Sequence, residues 1–138
     1  KFLVINKTMK YNRAVYLTFI AGTSNSTVNI SVPIKVKRIH CKALGYKTGT
    51  PPAAGAATYC YVVSDLTQNS PIGMYYRDST YPYSSGQDIE YVFANPQPVS
   101  GTYTFSLVNF DGTPANATVG NDYLGMILEF NDEDEKAH

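Results

Sequence analysis

A chain of 138 residues with 43% hydrophobic residues has room for one well-filled core and not for two. A formal net charge of zero excludes a chain-wide pull on nucleic acid or an anionic membrane, and no apolar run approaches the ~18 residues of a membrane span. Charged residues make up 16%, against roughly 25% in soluble domains, so much of the surface is expected to be neutral or covered by neighbours.

The aromatic content, 12 Tyr and 6 Phe with no Trp, together with the Thr, Val and Ile, suits strands. Residues 1–11 are expected to form an N-terminal arm or strand, and Lys1 to Ile5 lacks the order of a signal peptide. Val15, Leu17 and Phe19 alternate with Tyr16 and Thr18 until the turn-rich stretch from Ala21 to Ser26. Val28, Ile30, Val32, Ile34 and Val36 then hold one face, opposite Asn29, Ser31, Lys35 and Lys37. Ile39 and Cys41 take up the apolar role out of phase, which predicts a bulge or sheet-crossing corner near Lys37–Arg38. Pro33 lacks an N–H and marks an edge or the start of a new pairing.

Residues 47–57, with two Pro and two Gly, read as a loop. The run from Thr58 to Leu66 is apolar on both faces and is expected to lie centrally, followed by a shorter strand from Ile72 to Arg77 and a loop over 81–86. Ile89, Tyr91 and Phe93 alternate next, then Tyr103, Phe105 and Leu107 against Thr102, Thr104 and Ser106. Asp111-Gly112 supplies a turn, and Leu124, Met126, Leu128 and Phe130 close the fold with Gly125 and Glu129 opposite. Residues 131–138 read as a solvated acidic tail. With no helical period, residues 1–138 are expected to form one all-β domain. The leading architecture is an antiparallel β-sandwich, an eight-stranded single jelly roll, with an immunoglobulin-like topology behind it. Val15, Leu17, Phe19, Tyr103, Phe105, Leu107, Met126 and Leu128 should face between its sheets.

The chemical inventory points away from catalysis. His40 and His138 are the only histidines, and neighbouring strand residues such as His40 and Cys41 face opposite ways, so no metal or cofactor is expected. Cys41 and Cys60 are either buried thiols or a single bridge. The scattered carboxylates read as turn residues, as do Asp111, Asn121 and Asp122, the alternative being a loop calcium site. Lys35, Lys37, Arg38 and Lys42 form the one basic stretch, read as the guarded solvent face of an edge strand in preference to a phosphate-binding patch. Four glycosylation sequons, beginning at Asn6, Asn25, Asn29 and Asn116, point to loop exposure. The most suggestive cluster is Tyr75, Tyr76, Arg77, Tyr81 and Tyr83, a candidate interface or binding surface because Tyr and Arg give contact area and keep a polar tip. The competing reading places Tyr75 or Tyr76 in the core.

The strand order, the Pro/Gly-rich loops and the closing segments from Tyr103 to Gly112 and from Tyr123 to Phe130 resemble single jelly-roll virion proteins, the penton-type and minor capsid proteins of icosahedral double-stranded DNA viruses. The resemblance runs from about Asn12 to Phe130 and rests on no defining motif, so it assigns no functional residue. It implies a non-enzymatic structural subunit located in a virion, a viral capsid vertex or minor capsid protein whose partners are copies of itself and neighbouring capsid proteins. The other classes are a carbohydrate-binding module or lectin and the receptor-binding head of a fibre or adhesin, secreted or at a cell surface, with a glycan or receptor as partner. Contacts are expected from the loops at 47–57, 67–87 and 109–122, plus a terminal segment. Neither membrane insertion nor nucleic-acid contact is inferred from the residues.

Overall fold

The computed structural model describes residues 9–48, 58–77, 83–85, 89–117 and 120–132. Seven strands occur there: β1 (Lys10–Phe19), β2 (Asn25–Lys47), β3 (Thr58–Ser64), β4 (Ser70–Arg77), β5 (Tyr83–Ser85), β6 (Glu90–Asn109) and β7 (Asp122–Asn131). A 3-10 turn, Asp65–Thr67, joins β3 to β4 and is the one helical element among the described residues. Six strands follow one antiparallel path, β1-β7-β2-β6-β3-β4, and β5 pairs with β2 beside it.

Among the described residues the strands number seven where eight were expected, and they join in one continuous antiparallel sheet. The cause is the length of β2 and β6, 23 and 20 residues, which bend without losing their partners. In β2 the buried positions run Ile30, Val32, Val36 and Arg38, switch to Ile39 and Cys41, and switch back to Leu44 and Tyr46. Each switch needs an extra residue, because side chains alternate strictly along a strand. The β2–β6 register shifts between Ser31 and Lys35 and again between Val36 and Arg38, and the β2–β7 register shifts between Cys41 and Ala43. The irregularity expected at Lys37–Arg38 is present, Pro33 falls in the first interruption, and the slip after Cys41 is additional.

The bends curl the sheet over its own inner face. Tyr46 of β2 stacks on Tyr75 of β4 with ring centroids 4.2 Å apart, and Leu44 packs against Gly73, where no side chain stands in its way. Val15, Leu17, Phe19, Phe105, Leu107, Met126 and Leu128 fill the enclosed core as expected, with Tyr103 half-buried against it. β3 lies between β6 and β4, with Cys60 and Val62 inward. Cys41 and Cys60 are buried free thiols. Among the described residues β2 pairs with β7 only from Arg38 onward, so Lys35 and Lys37 stand on a stretch with β6 as its one strand partner, as expected of a guarded edge, while Arg38 and Lys42 fall where β7 is also a neighbour. Asn131, expected in the acidic tail, completes β7 opposite Lys10, while residues 1–8 and 133–138 lie outside the described residues.

Candidate functional site

Alternation along β4 divides the tyrosine cluster. Tyr75 points inward and is 2% exposed, and two positions on, Arg77 is buried as well. Both are thereby corrected from candidate binding residues to interior ones. Tyr76 faces outward and meets Tyr59 edge to face at 4.9 Å. Tyr83 enters β5 opposite Lys47. Tyr81 lies outside the described residues.

Tyr75 and Arg77 belong to a buried polar cluster that sequence reasoning missed. The Tyr46 hydroxyl donates to Asp122 Oδ2 at 2.8 Å, and Thr48 Oγ1 donates to Asp122 Oδ1 at 3.1 Å. Arg77 lies 3.8 Å from the same carboxylate and donates to the Asn116 carbonyl at 3.3 Å. Burial first, and then the Asp122 hydrogen bond, pushes the Tyr46 phenol far above its ordinary range; burial does the same to Tyr75. Burial likewise raises the Cys60 thiol, so this sulfur is a neutral, enclosed side chain and not an activated nucleophile. The available signal was the phase of Asp122, which shares the face of Leu124, Met126, Leu128 and Phe130. Its partner Tyr46 is 76 positions away, beyond the reach of any local pattern.

Two apolar faces are exposed. On the outer side of β3 and β4, Tyr59 pairs with Tyr76 and Tyr61 with Met74 across the strands. Phe110, 69% exposed in the turn after β6, joins Tyr59, Tyr61 and Met74 around a shallow cleft of about 270 Å³. No charged side chain lines it. On the outer side of β1 and β7, Tyr16 is 81% exposed with its ring over Gly125, flanked by Ile127 and Tyr123. Lys47 stands 5.9 Å from the Tyr123 ring. Because Tyr75 and Tyr46 stack inward, these two faces look away from each other.

Three residues of the basic stretch are engaged within the protein. Arg38 pairs with Glu90, Lys42 lies 3.5 Å from Glu129, and Lys37 donates to the Ala94 carbonyl at 2.8 Å. Asp111 accepts from the Thr113 hydroxyl and amide, which hold its carboxyl below the ordinary value, and Asn121 accepts from the Ala21 amide. Both are turn roles. His40 is half-buried on β2. Among the described residues no three His, Cys, Asp or Glu side chains converge as a metal site, and no helix is long and apolar enough to cross a membrane. Of the loops expected to make contacts, residues 49–57, 78–82, 86–87 and 118–119 lie outside the described residues.

No family model matches the chain, and no curated protein matches it. Solved structures resemble it only in outline. One is from the acidic stable capsid structure of Helicobacter pylori bacteriophage KHP30, at 12% identity over 94% of this chain and 100% of that one, with a TM-score of 0.43. Another comes from the disulfide-linked pili of Bacillus endospore appendages, at 8% identity over 96% and 97%, with a TM-score of 0.43. A third, an arabinose-bound GH51 α-L-arabinofuranosidase, matches at 13% identity over 86% of this chain and 19% of its own, with a TM-score of 0.46. Viral, appendage and glycosidase structures thus stand side by side, and at these values the likeness assigns neither a family nor a function.

Proposed function

We propose that the chain is a non-enzymatic structural subunit, a single jelly roll that assembles into a viral capsid as a vertex (penton-type) or minor capsid protein. The observation that carries the proposal is the pair of exposed aromatic faces, Tyr59-Tyr61-Met74-Tyr76-Phe110 on one side, whose cleft no charged side chain lines, and Tyr16-Tyr123-Ile127 with one lysine beside it on the other. Isolated exposed apolar residues need no explanation, whereas contiguous patches on a chain this poor in charge suit contact surfaces. Two different patches facing opposite ways favour a head-to-tail contact, and such contacts close into rings when the rotation between copies permits.

The strand order supports the jelly-roll part of the proposal. Divided at their bends, β2 and β6 contribute to two layers. In one layer β1, β7, the second half of β2 and the first part of β6 are neighbours; in the other, the first half of β2, the rest of β6, β3 and β4. The Tyr46–Tyr75 stack brings the layers face to face.

The partners are accordingly copies of the chain and adjoining shell proteins, and the location is the virion. Sedimentation of the purified chain tests the proposal. Association that rises with concentration and is abolished by Tyr59→Ser with Tyr76→Ser supports it; a monomer at every concentration, in low and high salt, refutes it.

A further inference from the structure

We propose that the cleft between the 3-10 turn and the bend of β6 is a binding site for one neutral, hydroxyl-rich ring, of the size of a single hexose unit in a glycan. The site is independent of the two apolar faces. Its floor is apolar, made by Leu66, Phe93 and Val99, and Asp65, Gln68, Gln97 and Tyr103 stand around it. Its volume of about 200 Å³ is below the ~300–1,000 Å³ of drug-sized sites, which suits one ring and not a chain of them.

Each polar side chain is anchored at one atom and keeps another available. Asp65 Oδ1 accepts from the Thr104 amide at 2.9 Å, which leaves Oδ2 as an acceptor. Gln68 Oε1 accepts from the Tyr91 hydroxyl at 2.9 Å, which leaves the amide NH₂ as a donor. Gln97 donates from Nε2 to the Asn95 carbonyl at 3.2 Å, which leaves Oε1 as an acceptor. The Tyr103 hydroxyl accepts from the Ser100 amide at 3.0 Å, which leaves its own proton to donate. Two donors and two acceptors among the side chains that line the cleft suit a sugar, whose hydroxyls both give and accept. Anions are disfavoured, because no cation lines the cleft and Asp65 repels them. With Asp65 as the one carboxylate, a metal ion lacks its ligand set.

The backbone at Gln68 supports the same reading. Gln68 and Asn69 both adopt left-handed conformations, φ 54° and 63°, while closing the turn through hydrogen bonds to Asp65 and Ser64. Gly would close it without strain, and Asn often does. The chain instead carries at this position a long amide side chain fixed by Tyr91 at the rim of the cleft. Strain of this kind collects at binding sites, where the side chain it places is used.

The test uses methyl glycosides of neutral hexoses as probes, with methyl glucuronoside as the charged control, followed by amide chemical shifts of the intact chain. One neutral hexoside should shift the amides of Asp65 to Asn69 and of residues 97–104 at millimolar concentration, and the glucuronoside should not. Gln68→Gly removes the side chain and relieves the turn. It should leave the spectrum folded and lower affinity by roughly tenfold or more, as expected when a site loses a hydrogen-bonding partner. The proposal is overturned if no neutral hexoside shifts these amides, if the shifts map to Tyr59 and Tyr76 instead, or if Gln68→Gly binds as well as the native chain. None of these outcomes bears on whether the chain assembles.

Discussion

Asp122 is 1% exposed and holds together Tyr46, Thr48 and Arg77, polar side chains buried at the ends of β2 and β4. Removing one member of a buried ion pair leaves the other charge uncompensated, so Asp122→Ala should lower the unfolding free energy by about 3–5 kcal/mol in urea titration. A loss under about 1 kcal/mol, the range of exposed pairs, contradicts the cluster's structural role. Tyr75 is the converse case. Its hydroxyl has only the weak Cys60 thiol beside it and no hydrogen bond among the described residues, so Tyr75→Phe should be neutral or stabilise by about 1 kcal/mol. The same residues set an alkaline limit. Burial raises Tyr46 and Tyr75 above the ordinary 10.0, so above that pH the unfolded chain releases protons that the folded chain keeps. Stability is unaffected by these groups below pH 10.0 and falls as pH rises through it, by up to ~1.4 kcal/mol per pH unit for each such tyrosine. Tyr75→Phe should make the fall shallower by one proton, and an unchanged slope in alkaline denaturation contradicts this.

At the scale of the element, β2 shows how far a sequence carries and where it stops. Alternation is a local property, so the run from Val28 to Val36 and its slip near Lys37–Arg38 were legible, as were the inward faces of β1 and β7. The slip between Cys41 and Ala43 was hidden, because Lys42 and Ala43 are both exposed and Ala43 is too small to mark the phase. Strand continuity was hidden too: a bent strand and two strands with a corner have the same pattern, and only the partners tell them apart. At the candidate surfaces, alternation separates Tyr75 from Tyr76 but does not say which is inward, since both strand faces carry aromatic residues. The cleft at Gln68 depends on left-handed backbone at a residue type that rarely signals it. Gly73 tests the curl of the sheet directly. A methyl group there collides with Leu44, so Gly73→Ala should destabilise by about 1–3 kcal/mol. Adding Leu44→Val should recover part of the loss, as contacting residues couple. Additive effects in the double mutant contradict the packing of β4 on β2.

At the scale of the whole molecule, two aromatic faces looking in opposite directions make a subunit that can meet one neighbour on each side. Each patch contributes on the order of a few hundred Å², so a specific contact of ~800 Å² per partner draws in the residues around it. With no lining charge on the β3–β4 face and one lysine at the other, association should vary little between low and high salt. The measurement that reaches the central claim most directly is sedimentation velocity on two complementary variants, alone and mixed. One carries Tyr59→Ser with Tyr76→Ser, the other Tyr16→Ser with Ile127→Ser. Each retains one face, so a head-to-tail contact predicts that each is monomeric alone and that the mixture stops at a two-chain complex, while the native chain assembles further. A mixture that stays monomeric, or either variant assembling by itself as the native chain does, contradicts it.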